Sequence, residues 1–157
     1  LMKLLNSYLK NCIKTAAKNN MRVRVIGDIT GLDPAMQKQI EELEEASKHN
    51  DGLNFQIALN YGGRADIIHA VNALIAEGKT SVTEDDISAH LYTAGQPDPD
   101  LIVRTAGEMR LSNFLLWQSA YAEYYFTDML WPDFDEPELD KAIASYQKRE
   151  RRFGGRK

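Results

Sequence analysis

The chain has 157 residues, 43% of them hydrophobic and 27% charged, and its formal net charge is −4 at pH 7. Such a chain is typical of one globular domain that buries about two-thirds of its unfolded surface, and its acidic balance argues against nucleic-acid binding. Cys12 is the only cysteine and no apolar run approaches the roughly 18 residues that span a bilayer, which excludes an internal disulfide and predicts a soluble, cytoplasmic protein.

The first part of the chain alternates predicted helices with short predicted strands. Residues 1–18 place their apolar side chains on one helical face, and we expect further chain to precede Leu1. Residues 21–27 alternate valine with arginine, which is typical of a strand. Asp33 is expected to cap a helix over residues 34–47, whose first residue is a proline.

A second strand and a glycine turn follow. Residues 53–59 alternate apolar and polar side chains after an Asn-Asp-Gly turn, which predicts a strand. Asn60 to Arg64 reads NYGGR and holds the glycines that a tight strand-to-helix turn requires. The turn directs polar groups from the carboxyl end of the strand, so Asn60 and Arg64 have either a structural role or a role in a cleft. A helix over residues 65–77 comes next.

A third strand leads into a polar loop. Thr83 and Asp86 predict a capping box for a short helix that extends to Leu91. After a Pro- and Asp-rich loop, residues 101–104 are apolar or β-branched up to the final arginine and predict a short buried strand. Residues 105–110 then form a polar loop that contains a glycine.

This loop and the residues after it carry candidate anion ligands. Ser112 or Asn113 is expected to cap a helix, and the free N–H groups at the start of a helix attract anions. Arg104 and Arg110 bracket the loop, and a guanidinium suits phosphate oxygens two at a time. Glu108 is expected to pair with an arginine and set its angle. Taken singly, such residues are usually surface ion pairs or caps, but their combination favours a phosphate or diphosphate site.

The end of the chain is acidic and then basic. Glu123, near or past the end of the predicted helix, is a hard oxygen ligand suited to Mg²⁺, although a lone carboxylate is more often solvated. Residues 124–126 predict a last strand, and residues 131–134 a rigid corner. A final helix is expected over residues 137–152 after the cap Asp135, with basic residues that complement its dipole.

Together these elements predict one α/β domain over residues 1–157. Short strands that alternate with longer helices indicate a central, mostly parallel sheet with helices on both faces. Binding sites in such sheets gather at the carboxyl ends of the strands, where both glycine-containing turns are expected to lie.

Several segments resemble the cis-prenyltransferase family. They are RTAGEMRLSNFLLWQSAYAE over residues 104–123, FTDMLWPDFDE over 126–136, RERRFGG over 149–155, and the earlier NYGGRADI and RVIGD. The matches span nearly the whole chain with few departures, one being Ala106, where the family often has serine or glycine.

The resemblance implies a set of binding residues and partners. Arg104, Arg110 and Ser112 would hold the diphosphate of isopentenyl diphosphate, and Glu123 would help bind Mg²⁺. Arg152-Phe153-Gly154 matches the family's Arg-x-Gly tail motif. In the family, this motif lends a C-terminal segment to the neighbouring subunit's active site, which implies a homodimer. The other implied substrate-binding residues are Asn60, Arg64, Glu108, Leu111, Arg152 and Gly154.

The resemblance also implies an activity. Family members condense isopentenyl diphosphate onto an allylic diphosphate such as farnesyl diphosphate and make a long-chain polyprenyl diphosphate, the precursor of a lipid carrier for cell-wall synthesis. Transient contact with a membrane is expected at product release. The family's N-terminal catalytic aspartate loop is absent, so the chain resembles the C-terminal portion of the domain. We therefore expect this polypeptide alone not to catalyse the reaction. The alternatives are a non-catalytic partner subunit and a generic phosphate-binding α/β module.

Overall fold

A computed structural model describes residues 2–150 of the chain, apart from the side chains of residues 2–6 and Lys10. The chain divides into two compact units, Leu1–Ala94 and Gly95–Lys157. Each unit contains one pair of parallel strands. The α/β class is therefore confirmed, and a single domain over the whole chain stays a prediction.

The elements follow one another much as the sequence predicts. In the first unit they are α1 (Met2–Lys18), β1 (Arg22–Ile26), α2 (Pro34–Ser47), β2 (Asn54–Ala58), α3 (Gly63–Ala76) and α4 (Glu84–Ser88). In the second unit they are β3 (Leu101–Arg104), β4 (Glu123–Phe126) and α5 (Glu136–Gln147). Short 3-10 turns cover Ile29–Gly31 and Trp131–Asp133. Within the described part of the chain, no helix is long and apolar enough to cross a membrane.

The first unit is built on a β-α-β crossover. β1 and β2 pair in parallel from Arg22 beside Asn54 to Ile26 beside Ala58, and α2 connects them. The helix buries one apolar stripe, since side chains three and four positions apart share a helical face. The buried hydrophobic cluster around this crossover consists of Leu9, Ala16, Val23, Met36, Ile40 and Leu43.

Capping interactions define where three of the helices begin, as predicted. The Asp33 carboxylate accepts a hydrogen bond from the Ala35 amide at 2.8 Å, and Asp135 accepts one from Glu138 at 3.2 Å. Thr83 begins α4 with a complete capping box. Each cap satisfies amide groups that have no partner within the helix itself.

The predicted helix after Ser112 is wrong. Residues 111–122 form a series of turns, in which Ser112, Asn113 and Leu115 have φ values of 50°, 64° and 46°. Left-handed residues interrupt the ladder of i to i−4 hydrogen bonds, and serine and asparagine favour such turns over helices. Ser112 is therefore not a helix cap, and a helix N-terminus contributes nothing to an anion site here.

The capping box of α4 predicts a pH-dependent stability. The Lys79 ammonium donates to Asp86 at 2.8 Å and the Thr83 amide donates to it at 3.0 Å, which together hold the pKa of Asp86 at about 2, below its usual 3.8. Because the folded-state pKa is the lower one, this stabilisation is present above about pH 4 and is lost as the pH falls towards 2.

We therefore expect Asp86→Asn to lower the free energy of unfolding at pH 7 and to differ less from the parent protein at pH 2.5. Urea unfolding at the two pH values measures this difference. Asp85→Asn removes the same charge one position earlier and serves as the control. An equal loss for Asp86→Asn at both pH values would contradict the assignment.

Candidate active site

The loop after β3 is attached to the segment after β4. Arg104 pairs with Phe126 at the carboxyl ends of the two strands. The Ala106 amide donates to the Met129 carbonyl at 2.8 Å, and the Gly107 amide donates to the Thr127 carbonyl at 2.9 Å. These bonds occupy the amide groups of Ala106 and Gly107, which are therefore not available to an anion.

Backbone strain is concentrated in the same region. Among residues 2–150, six residues other than glycine have positive φ, and four of them are Ala106, Ser112, Asn113 and Leu115. A conformation of this kind costs about 1–3 kcal/mol per residue, and it persists where the surrounding structure enforces it, often at a functional site. The strain therefore supports a functional role for this turn-rich segment.

Arg104 is the most informative residue of the loop. Its side chain is half-buried, and in the described part of the chain it has no hydrogen-bond or ion-pair partner. A guanidinium carries five N–H donors and cannot lose its charge at physiological pH. A partly desolvated arginine without a protein acceptor is well suited to bind an anion such as a phosphate group.

Arg110 is held from the side by Glu108. The two side chains form an ion pair, as the sequence predicted, and 64% of the Arg110 side chain and 38% of the Glu108 side chain are exposed. The carboxylate restrains the guanidinium while leaving donor groups open to solvent. Leu111 and Ser112 follow in the next turn, where the Leu111 carbonyl accepts from the Phe114 amide at 3.1 Å and Ser112 is exposed.

Glu123 occupies a different place from the one predicted. It is the first residue of β4 and lies beside Leu101, whereas Arg104 lies beside Phe126. Three residues of strand separate the two ends by about 10 Å. The Glu123 carboxylate accepts a hydrogen bond from Arg149 Nη1 at 2.5 Å. The register therefore places Glu123 at the amino end of this strand pair. Residues 104–110, here called the arginine loop, lie at its carboxyl end.

The chemistry of Glu123 fits a magnesium ligand in part. Its Oε2 binds Arg149, its Oε1 has no partner among the residues described, and 26% of its side chain is exposed. No group of three potential His, Cys, Asp or Glu ligands occurs within residues 2–150. Mg²⁺ keeps several waters and often takes only one or two carboxylates plus substrate phosphates. Glu123 fits that kind of site, and not a cage made of protein ligands alone.

The turn at Asn60 joins the two strands of the first unit. Asn60 has a φ of 47°, and its side-chain amide donates to the Asp28 carbonyl at 2.8 Å. The Asp28 amide donates back to the Asn60 carbonyl at 3.3 Å. These bonds favour the structural interpretation of Asn60, while Arg64 lies exposed in the first turn of α3. A shared cleft with the arginine loop stays a prediction.

A buried carboxylate in the first unit was missed in the sequence. Asp66 is 1% exposed and accepts from the Tyr61 hydroxyl at 2.9 Å and from the Tyr92 amide at 2.8 Å. The His69 ring stacks on Tyr92 with ring centroids 4.4 Å apart. Burial, followed by the charges of Asp28 and Asp66, raises the pKa of the Tyr92 hydroxyl. The signal in the sequence was an aspartate two residues after the NYGGR turn.

The predicted tail residues are outside the described part of the structure. Arg152 and Gly154 both belong to residues 151–157, so their role stays a prediction.

The fold and the loop define an α/β protein with a candidate anion site at the carboxyl ends of parallel strands. The family model "Putative undecaprenyl diphosphate synthase" matches residues 1–154, and the chain belongs to this family of prenyltransferases.

Individual relatives agree with this assignment. An isoprenyl transferase of Fusobacterium nucleatum is 57% identical over 99% of the chain, and one of Neisseria gonorrhoeae is 52% identical over 98%. The chain spans 67% and 62% of the lengths of these two relatives.

Two solved structures share the fold. A probable undecaprenyl diphosphate synthase from Campylobacter jejuni is 36% identical with a TM-score of 0.91, over 98% of this chain and 73% of its own. Lavandulyl diphosphate synthase from Lavandula x intermedia, in complex with dimethylallyl diphosphate, is 37% identical with the same TM-score, over 98% of this chain and 70% of its own.

Proposed function

We propose that the protein carrying this chain is a cis-prenyltransferase. It condenses isopentenyl diphosphate onto an allylic diphosphate such as farnesyl diphosphate and makes a long-chain polyprenyl diphosphate, the precursor of a lipid carrier for cell-wall synthesis. The observation that carries the proposal is Arg104, a half-buried arginine without a described acceptor, beside a strained loop in which Glu108 restrains Arg110.

The proposed division of roles follows from charge. Arg104 and Arg110 bind the diphosphate of isopentenyl diphosphate, with Leu111 and Ser112 in the adjoining turn, and Glu108 fixes the angle of Arg110. Two rigid forks hold a diphosphate more firmly in register than two flexible ammonium groups do, because the geometry of the donors is fixed. By the family resemblance, the proposed substrate-binding residues also include Arg64 and, from the neighbouring copy in a homodimer, Arg152 and Gly154.

The reaction sets the demands on these residues. The allylic C–O bond breaks and diphosphate leaves, a C–C bond forms to the alkene of isopentenyl diphosphate, and a proton is lost to restore an alkene. The arginines keep the diphosphate end of the attacking substrate in place, so that its alkene lies close to the allylic carbon. Glu123 is the residue of this chain that would hold Mg²⁺, which when bound would supply positive charge for diphosphate oxygens.

The similar plant enzyme supports this substrate class. Lavandulyl diphosphate synthase, which has the same fold over 98% of this chain, was solved with dimethylallyl diphosphate, an allylic diphosphate. We propose that the present protein works in the cytoplasm, where both charged substrates dissolve. Contact with a membrane is needed only when the long apolar product leaves.

A product assay tests the proposal. The protein that carries residues 1–157 is incubated with labelled isopentenyl diphosphate, farnesyl diphosphate and Mg²⁺, and the products are separated by chain length. We expect a long-chain polyprenyl diphosphate that depends on the allylic primer. Absence of product, together with stimulation of a separate catalytic chain, would favour the non-catalytic partner subunit and overturn the proposal.

A further inference from the structure

His90 lies where the end of α4 meets the end of α3. Its Nδ1 is 2.7 Å from the Asp86 carbonyl oxygen, and its Nε2 is 3.0 Å from Oε1 of Glu77, the residue that caps the end of α3. The His90 amide donates to the Ile87 carbonyl and not to Asp86. The ring therefore satisfies a carbonyl that has lost its partner at the end of α4, and it also reaches the other helix.

The two partners of the ring determine its protonation state. A carbonyl oxygen and an ionised carboxylate can only accept hydrogen bonds, whereas neutral imidazole has one N–H donor and one acceptor nitrogen. Both contacts are hydrogen bonds only when both ring nitrogens carry a proton. The neutral ring can keep its bond to the Asp86 carbonyl, but the lone pair of Nε2 then faces the Glu77 carboxylate and the contact is repulsive.

The charges around the ring favour the same doubly protonated form. Glu77 of α3 and Asp86 of α4 both attract a positive imidazole, while the Lys79 ammonium, between the two helices, donates to the Asp86 carboxylate at 2.8 Å. The hydrogen bond to Glu77, followed by the one to the Asp86 carbonyl, raises the pKa of His90 above its usual 6.5. The side chains of His90 and Glu77 are 23% and 54% exposed, so the pair can exchange protons with water.

Residues 90–94 are attached to the first unit at further points. The Tyr92 amide donates to the buried Asp66 carboxylate at 2.8 Å. The Arg24 side chain, on β1, donates to the Ala94 carbonyl at 3.1 Å and to the Tyr92 carbonyl at 3.4 Å. The segment is thus bound to α3 at its start and to β1 at its end, and the first unit ends with it. Loss of the contact at its first residue leaves only the later attachments.

We propose that His90 and Glu77 form a proton-dependent clip, which fastens residues 90–94 to the end of α3 while the imidazole carries two protons and opens when Nε2 loses its proton. The inference is independent of the proposed reaction. Because the folded-state pKa of His90 is the higher one, the stabilisation is fully present below about pH 6.5 and is lost as the pH rises through the folded-state pKa. The clip therefore responds to changes close to neutral pH.

A ¹⁵N NMR titration of the imidazole tests the pairing on the protein that carries this chain. We expect both ring nitrogens of His90 to be protonated at pH 6 and Nε2 to lose its proton first. Glu77→Gln removes the acceptor charge and should lower the pKa of His90. Glu84→Gln removes the same charge from an exposed position in the first turn of α4 and should leave that pKa unchanged. An equal pKa for His90 in the parent protein and in Glu77→Gln would overturn the pairing.

Hydrogen exchange at the Tyr92 amide tests whether the pairing holds the segment in place. After correction for intrinsic base catalysis, protection should fall by about two- to fivefold as the pH rises through the His90 transition, as expected for the loss of one partly exposed ion pair. His90→Asn keeps a donor with the reach of Nδ1 but cannot titrate or reach Glu77, so its protection should stay at the lower level throughout. Protection that is equal on both sides of the transition in the parent protein would overturn the clip, even with the pairing intact.

Discussion

Replacing Arg110 with alanine is expected to lower kcat/KM for isopentenyl diphosphate by about 10²–10³-fold, the loss typical of removing one donor aimed at developing or bound charge. Arg110 is exposed at the end of the strained loop and is held by Glu108, so its removal takes away a positioned cation without opening a core. Steady-state kinetics with farnesyl diphosphate held saturating measure the effect.

Two companion variants sharpen this prediction. Glu108→Gln keeps Arg110 and removes only its restraint, so we expect a loss in kcat/KM that is smaller than that of Arg110→Ala. Arg22→Ala removes an exposed arginine at the start of β1 and should leave the kinetics unchanged. If Arg110→Ala stays within about threefold of the parent enzyme, a difference of less than 1 kcal/mol, then Arg110 does not bind the diphosphate.

Replacing Gly27 with alanine is expected to destabilise the first unit by about 4 kcal/mol or more, which places it among the largest effects of single substitutions. Gly27 has a φ of +121°, and an added Cβ would lie 2.1 Å from the Leu59 carbonyl oxygen. That atom belongs to the backbone at the end of β2, so it cannot rotate away. Urea unfolding measured by circular dichroism gives the free energy of unfolding.

Two other glycines of the first unit distinguish the cost of a positive φ from the cost of a steric clash. Gly78 has a φ of +81° with nothing within 4 Å of an added Cβ, so Gly78→Ala should show the conformational cost alone, about 1–2 kcal/mol. Gly31 has an ordinary φ and an ordinary contact of 3.5 Å, so Gly31→Ala should be nearly neutral. Equal losses for Gly27→Ala and Gly78→Ala would show that the close approach to Leu59 is not maintained in solution.

The parts of the fold that were predictable depend on local interactions. The caps Asp33, Thr83 and Asp135 bond to amides two or three residues away, so their pattern is visible in a short window of sequence. Strands β1 and β2 were equally accessible because their side chains alternate with a period of two. The ion pair of Glu108 with Arg110 was predictable for the same reason, since only one residue separates the partners.

The failures concern conformations and contacts that no local pattern specifies. The apolar run from Phe114 to Trp117 predicts a helix by composition, yet Leu115 has a positive φ, which intrinsic preference disfavours in leucine. Arg149 lies 26 residues after Glu123, and a basic residue after a helix has a sufficient explanation in the helix dipole. The structure was needed to show that this arginine has a carboxylate partner.

The absence of a helix between β3 and β4 has a consequence for how the protein folds. Parallel strands are usually connected through a helix, and α2 fills that role between β1 and β2. A helix forms from local contacts in about a microsecond or less. Within residues 22–58, α2 can therefore form early and bring β1 and β2 together. The turns of residues 105–122 offer none, and closing that loop costs chain entropy before the strands can pair. On a growing or refolding chain, the arginine loop is therefore expected to take shape late.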